Sequence, residues 1–241
     1  MTINLIGIGL SDEKDISVKG LETIKKCSKV YLESYTSLLQ VSKEQLEKFY
    51  GKKIIIANRQ QTENNMQRIL DEAKKEDIAL LIIGDVFSAT THINYSIECK
   101  KQNISLNIVH NASVLTAVGE VGLELYKYGK VTSVPFADST TPITVIESNQ
   151  KNELHTLVLL DLDPEKKKFL TIAEAMERLN IAQNEIIVAC ARLGCSNARI
   201  VAGNAEEIRN TDFGNPPYCI IIPAPKLHFV EEEALQLWKQ K

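Results

Sequence analysis

The chain reads as a two-domain α/β protein, with a parallel sheet in the first half and a mixed sheet in the second. Three observations predict it. At 241 residues the chain is too long for one small core and comfortable for two α/β units. In the first half, near-continuous apolar runs alternate with helix-length amphipathic stretches, the mark of strands buried on both faces. In the second half, the runs 185–192 and 198–203 are separated only by "LGCSN", which predicts an antiparallel hairpin. The domains are expected over 1–110 and 111–241, an N-terminal and a C-terminal α/β domain.

The first strand is expected over 3–8, then a helix over 18–27 in which Leu21, Ile24 and Lys25 fit a helical period. "KVYLES" (29–34), "KIIIAN" (53–58), "ALLIIG" (79–84) and "LNIVH" (106–110) are the following strands. A helix over 63–75 puts Met66, Ile69, Leu70 and Ala73 on one face. "NASVLTAVGEVGLELYKYG" (111–129) is expected to be helical and "PFADSTTP" (135–142) to be a connector. Further strands are expected at "HTLVLLDL" (155–162), "EIIVACAR", "ARIVAG" and "YCIIIPA" (218–224). Helices are expected over 171–179 and from 230 onward.

Composition narrows the class. The chain is 44% hydrophobic and 24% charged, with a net charge of −3, so it carries no signature of nucleic-acid binding. "EKKKF" (165–169) reads as a solvated loop. Five scattered cysteines, with no C-x-x-C pair, imply reduced thiols rather than a disulfide frame or zinc site. The apolar start "INLIGIG" is too short for a signal segment or a membrane span, so a cytoplasmic protein with no membrane association is expected.

The opening "NLIGIGLSDEKDIS" has Gly7 and Gly9 at fingerprint spacing, but Asp12 stands where a dinucleotide site needs its third glycine. The carboxylates Asp12, Glu13 and Asp15 follow, a poor seat for a diphosphate. "GDVFSATTH" (84–92) lands Asp85 at the carboxyl end of a parallel strand, where open α/β sheets bind ligands, and Thr90 or Thr91 is placed to cap the next helix. An ordinary strand-to-helix turn explains that segment equally well. "HNASVLTAVG" (110–119) offers Asn111 and Ser113 at a second such turn. The four histidines lack metal-ligand spacing, and no nucleophile elbow or Walker lysine loop is present. Cys195 reads as an inert thiol and Trp238 as a packing or docking residue.

In register, "LIGIGLSDEKDISVKGLE", "YTS" (35–37), "GDVFSATTH", "HNASVLTAVG", "HTLVLLDL" and "DFGNPPY…PAPKLHFVE" resemble the diphthine synthase family of tetrapyrrole-methylase-like (class III) methyltransferases. The likeness runs from residue 3 to residue 234. It implies two α/β domains with S-adenosylmethionine held in a cleft between them, released as S-adenosylhomocysteine, with no metal, in a homodimer. Leu10, Asp85, Ser88, Ser113 and Val114 would meet the cofactor from the first domain, and Leu160, Leu193 and Tyr218 from the second. The implied reaction is trimethylation of the amino group of a 3-amino-3-carboxypropyl-histidine in elongation factor 2, a step of diphthamide biosynthesis. No catalytic residue follows from the resemblance. The chemistry is compatible: a sulfonium nucleoside has no pyrophosphate, and in-line methyl transfer demands alignment and dryness rather than a metal or covalent nucleophile.

Three departures stand out. Val86 replaces an expected proline, implying a looser turn after Asp85; Tyr218 replaces a histidine; and "FADSTTPITVIESNQKN" lacks the family's aromatic residues. Three other functions compete: a class III methyltransferase acting on a corrinoid or ribosomal RNA, a binding protein of this fold without turnover, and an NAD-dependent oxidoreductase. For the last, Glu33 in "YLES" stands near the place of the ribose-binding acid.

Overall fold

A computed structural model describes residues 1–35, 37–58 and 66–239. Two compact units divide the chain, Met1–Val114 and Leu115–Lys241.

The first unit runs β1 (Thr2–Gly7), α1 (Val18–Lys26), β2 (Lys29–Glu33), α2 (Lys43–Tyr50), β3 (Ile54–Ala57), α3 (Met66–Ala73), β4 (Ile78–Ile82), α4 (Ile93–Lys101) and β5 (Ser105–Val109). The sheet order is β3-β2-β4-β1-β5, and every neighbouring pair is parallel. All five residues of β4 are buried, because helices cover both faces of the sheet. Two apolar layers result. One joins Leu5, Leu80 and Ile82 to Leu70 of α3 and Tyr95 of α4, and the other joins Ile6 and Leu81 to Ile24 of α1 and Leu46 of α2. Residues 63–65 of the helix expected over 63–75, and Thr36 of "YTS", lie outside the described residues.

The helix expected over 111–129 is not continuous. It resolves into α5 (Val114–Ala117) and short 3-10 turns at Val118–Val121 and Leu125–Lys127. Gly122 ends the first 3-10 turn in the left-handed region (φ 91°), and Ala234 packs where a Cβ would stand. Neither Thr90 nor Thr91 caps α4. His92 is the N-cap, without a side-chain capping bond, and Thr90 Oγ1 donates instead to the Val86 carbonyl at 2.9 Å.

The second unit continues with β6 (Thr132–Val134), α6 (Thr141–Lys151), β7 (Thr156–Leu160), β8 (Leu162–Asp163), β9 (Lys168–Phe169), α7 (Ile172–Arg178), β10 (Ile186–Ala191), β11 (Arg199–Asn204), α8 (Ala205–Arg209), β12 (Tyr218–Ile222) and α9 (Phe229–Gln236). Its main sheet, β11-β10-β12-β7-β6, is mixed: β6 and β7 are parallel and the other pairs antiparallel. The expected hairpin is β10–β11, paired from Ile186↔Asn204 to Ala191↔Arg199. "PFADSTTP" is a connector only in part, because Pro142 lies in the first turn of α6, where its fixed φ and missing N–H suit a helix start. Of "EKKKF", residues 165–167 lie in the exposed tip of the β8–β9 hairpin, where Lys166 pairs with Asp163, and Lys168 and Phe169 form β9.

A buried polar knot pins α9 to this sheet. Glu231 has no exposed surface and accepts from Lys127 Nζ (2.8 Å), His155 Nε2 (2.7 Å), Glu124 N (3.0 Å) and His228 N (2.8 Å). Burial opposes its charge, but Lys127, the two amides and His155 outweigh it and take the carboxyl down to about 2. His155 Nδ1 accepts from Ala224 N at 2.8 Å, so its proton sits on Nε2 and its ring is neutral. Burial pushes the imidazole below its ordinary value despite the neighbouring Glu231.

Candidate active site

The predicted residues of the first unit gather at the carboxyl ends of β4, β1 and β5, adjacent strands of the parallel sheet. The chain leaves β1 and β4 through Gly9 and Gly84, which exchange two backbone bonds, Gly84 N to Gly9 O (2.7 Å) and Gly9 N to Gly84 O (3.2 Å). Asp15 Oδ2 then accepts from the amides of Leu10 (3.0 Å) and Ser11 (2.7 Å). Asn111, after β5, donates from Nδ2 to the carbonyls of Gly7 and Asp15, both at 3.0 Å. One side chain thus ties the β5 turn to the β1 loop.

Asp85 is the hub of the remaining turn. Oδ1 accepts from Phe87 N (3.1 Å) and Ser88 Oγ (3.3 Å), and Oδ2 from Asn111 N (3.0 Å) and His110 Nδ1 (2.9 Å). Four donors fill the capacity of one carboxylate. Partial burial raises its pKa, but the bonds from Asn111, Phe87 and His110 outweigh that, so the carboxyl lies below its ordinary value. The turn is therefore pinned on both sides although Val86 stands in place of proline; Val86 itself is fully buried in the core. His110 stands edge-on to Phe87, centroids 6.0 Å apart, with its side chain 66% exposed.

Gly84 brings the ends of three loops together. Gly84 lies in the left-handed region (φ 81°), and a Cβ built on it meets nothing closer than Ala112 O (3.8 Å), Leu10 Cδ2 (3.9 Å) and Ser113 Cα (4.0 Å). Leu10, Ala112 and Ser113 thus approach Gly84 at ordinary packing distance, and Asp85 with Ser88 forms the adjoining turn. Val114 opens α5, which has four residues and no helical N-terminus of substance. In the second unit, register places the other three residues at one end of the mixed sheet. Leu160 closes β7, Tyr218 opens β12 opposite Ala191, and Leu193 follows β10. Leu160 and Leu193 are buried, whereas Tyr218 is partly exposed and donates its hydroxyl to the Gly214 carbonyl.

The sequence offers Asn111 at the second turn, but it does not single out Asp15, His110 or Arg192 as site residues. Arg192 binds the carbonyls of Asn197, Phe213 and Asn215, organising the loop before Tyr218. An Asp six residues after the second glycine of the turn and a His-Asn pair after a strand are visible signals for the first unit. Nothing near Arg192 in sequence announced its three carbonyl partners.

The dinucleotide alternative fails on this geometry. Asp15 consumes the Leu10 and Ser11 amides that would meet a pyrophosphate, and Glu33 is fully buried, with Tyr35 N donating to it at 2.7 Å. Among the described residues, no three His, Cys, Asp or Glu side chains are grouped to hold one metal ion.

The family model for tetrapyrrole (corrin/porphyrin) methylases matches residues 2–209. The human diphthine methyl ester synthase is 37% identical over 97% of this chain and 94% of its own. The chain belongs to the diphthine synthase family. An archaeal diphthine synthase, from Methanocaldococcus jannaschii, is 41% identical, with 96% of each chain covered. A crystal structure of a diphthine synthase superposes with a TM-score of 0.94 at 36% identity, over 99% of this chain and 96% of that one. Members of this family are S-adenosylmethionine-dependent methyltransferases.

Proposed function

We propose that the chain transfers methyl groups from S-adenosylmethionine to the amino group of a 3-amino-3-carboxypropyl-histidine in elongation factor 2, three times, in diphthamide biosynthesis. The observation that carries this is the full-length likeness to diphthine synthases, supported by Leu10 and Ser113 meeting at Gly84 beside the Asp85 turn. On this reading Leu10, Asp85, Ser88, Ser113 and Val114 serve the methyl donor from the first unit. Leu160, Leu193 and Tyr218 serve the same ligand from the second, by resemblance. The donor supplies an activated methyl on sulfur. Backbone carbonyls beside Gly84 suit its cationic groups, and Asp85 keeps the turns around it in place. A homodimer in the cytoplasm, acting on a protein and not on nucleic acid or membrane, completes the proposal. Among the described residues, no helix is long and apolar enough to cross a membrane.

Calorimetric titration tests the site. S-adenosylmethionine and S-adenosylhomocysteine are expected to bind, Asp85→Ala to weaken both, and NAD to give no signal. Absence of adenosyl binding would overturn the proposal. A second reading is favoured by one observation: the human relative is a methyl ester synthase. On that reading a fourth methyl goes to the carboxylate, and mild alkali removes it while leaving the amine methyls.

A further inference from the structure

We propose that His110 accepts the proton that the substrate amine must lose before each methyl transfer, with Asp85 holding its ring. The proposal rests on the amine-methylating reading above. An ammonium has no lone pair, so one proton leaves for every N–C bond made, and a positioned base speeds that loss.

The geometry supplies such a base. A carboxylate only accepts, so the 2.9 Å contact to Asp85 Oδ2 places the ring hydrogen on His110 Nδ1. That fixes the neutral tautomer whose Nε2 carries the free lone pair. No bond to Nε2 is made among the described residues, and the side chain is 66% exposed. Asp85 itself cannot serve, because its four acceptor positions are spent. The ring also belongs to the site. Its partner Asp85 anchors Ser88, and Asn111, the next residue, clamps the β1 loop.

In each cycle Nε2 takes a proton from the ammonium. The freed amine lone pair forms the N–C bond while the donor's S–C bond breaks and its electron pair returns to sulfur as a thioether. His110 then releases its proton to solvent. Three such cycles exhaust the amine protons. A carboxylate needs no deprotonation, so ester formation makes no demand on His110.

The test compares wild type, His110→Ala and His110→Gln on elongation factor 2 carrying the unmethylated residue, counting methyl groups by mass spectrometry. Amine methylation is expected to fall by about 100-fold or more in both variants. Affinity for S-adenosylmethionine is expected to stay unchanged by calorimetry, and added imidazole to restore turnover to His110→Ala. Nitrogen NMR of the free protein is expected to show the Nδ1–H tautomer of His110. Wild-type rates in both variants, or an Nε2–H tautomer, would overturn the proposal and leave the amine-methylating reading standing. Wild-type protein that binds the donor yet transfers nothing would overturn both.

Discussion

The two units each hold a histidine against a carboxylate, and the pairs differ in what surrounds them. Asp85–His110, at 2.9 Å, sits at the rim of the parallel sheet with its imidazole two-thirds exposed. Glu231–His155, at 2.7 Å, is wholly buried in the second unit. Both carboxylates accept four donors, and both lie below their ordinary pKa. The decisive contrast is the second ring nitrogen. That of His155 is consumed by Ala224 N, so the ring spends both nitrogens inside the fold. That of His110 makes no bond among the described residues. The pairing itself therefore does not mark chemistry; access to the second nitrogen does.

The comparison breaks most visibly at Glu231. Glu231→Ala leaves Lys127 and His155 without their shared acceptor, and loss of one partner from a buried ionic cluster costs about 3–5 kcal/mol. Urea unfolding should show that loss, and an unchanged midpoint would demote the knot to an incidental contact. His110→Ala removes one of the four donors to Asp85 and should cost about 1 kcal/mol, well below the loss at Glu231.

Acid sharpens the contrast. His155 lies below its ordinary 6.5 and Glu231 falls from 4.5 to about 2, so the native state binds fewer protons than the unfolded chain. The stability they contribute is present in full above 6.5. It declines as pH falls below that value, and declines further between 4.5 and about 2. Unfolding midpoints that rise on acidification would contradict this. Glu231→Gln should flatten the lower part of the profile.

Asn111→Ala is the subtler change. Three bonds disappear, two at 3.0 Å to carbonyls and one at 2.7 Å from Ala112 N, for about 1–3 kcal/mol, and the β1 loop loses its tie to the β5 turn. Affinity for S-adenosylmethionine should drop by more than the loss of stability alone explains, since the native fraction stays near one. Unaltered affinity would place the clamp outside the site.

Much of this was legible in the residues. Apolar runs such as "ALLII" and "IIVACA" need burial on both faces, which made the sheets readable, and "LGCSN" is too short to return as anything but a hairpin. Asp85 was readable because glycine and aspartate after a buried strand fall at the ligand end of the sheet. The break in 111–129 was not, because Gly122 takes its left-handed shape against Ala234, more than a hundred residues away. The roles of His110 and Glu231 were hidden for the same reason. Each depends on a partner set by tertiary packing, 25 residues away for His110 and 76 for Glu231.

The most direct measurement is methyl transfer from isotopically labelled S-adenosylmethionine to elongation factor 2 carrying the unmethylated 3-amino-3-carboxypropyl-histidine. The account predicts label on that one residue, at its amine, up to three methyl groups. Donor binding with no label on the residue would contradict it.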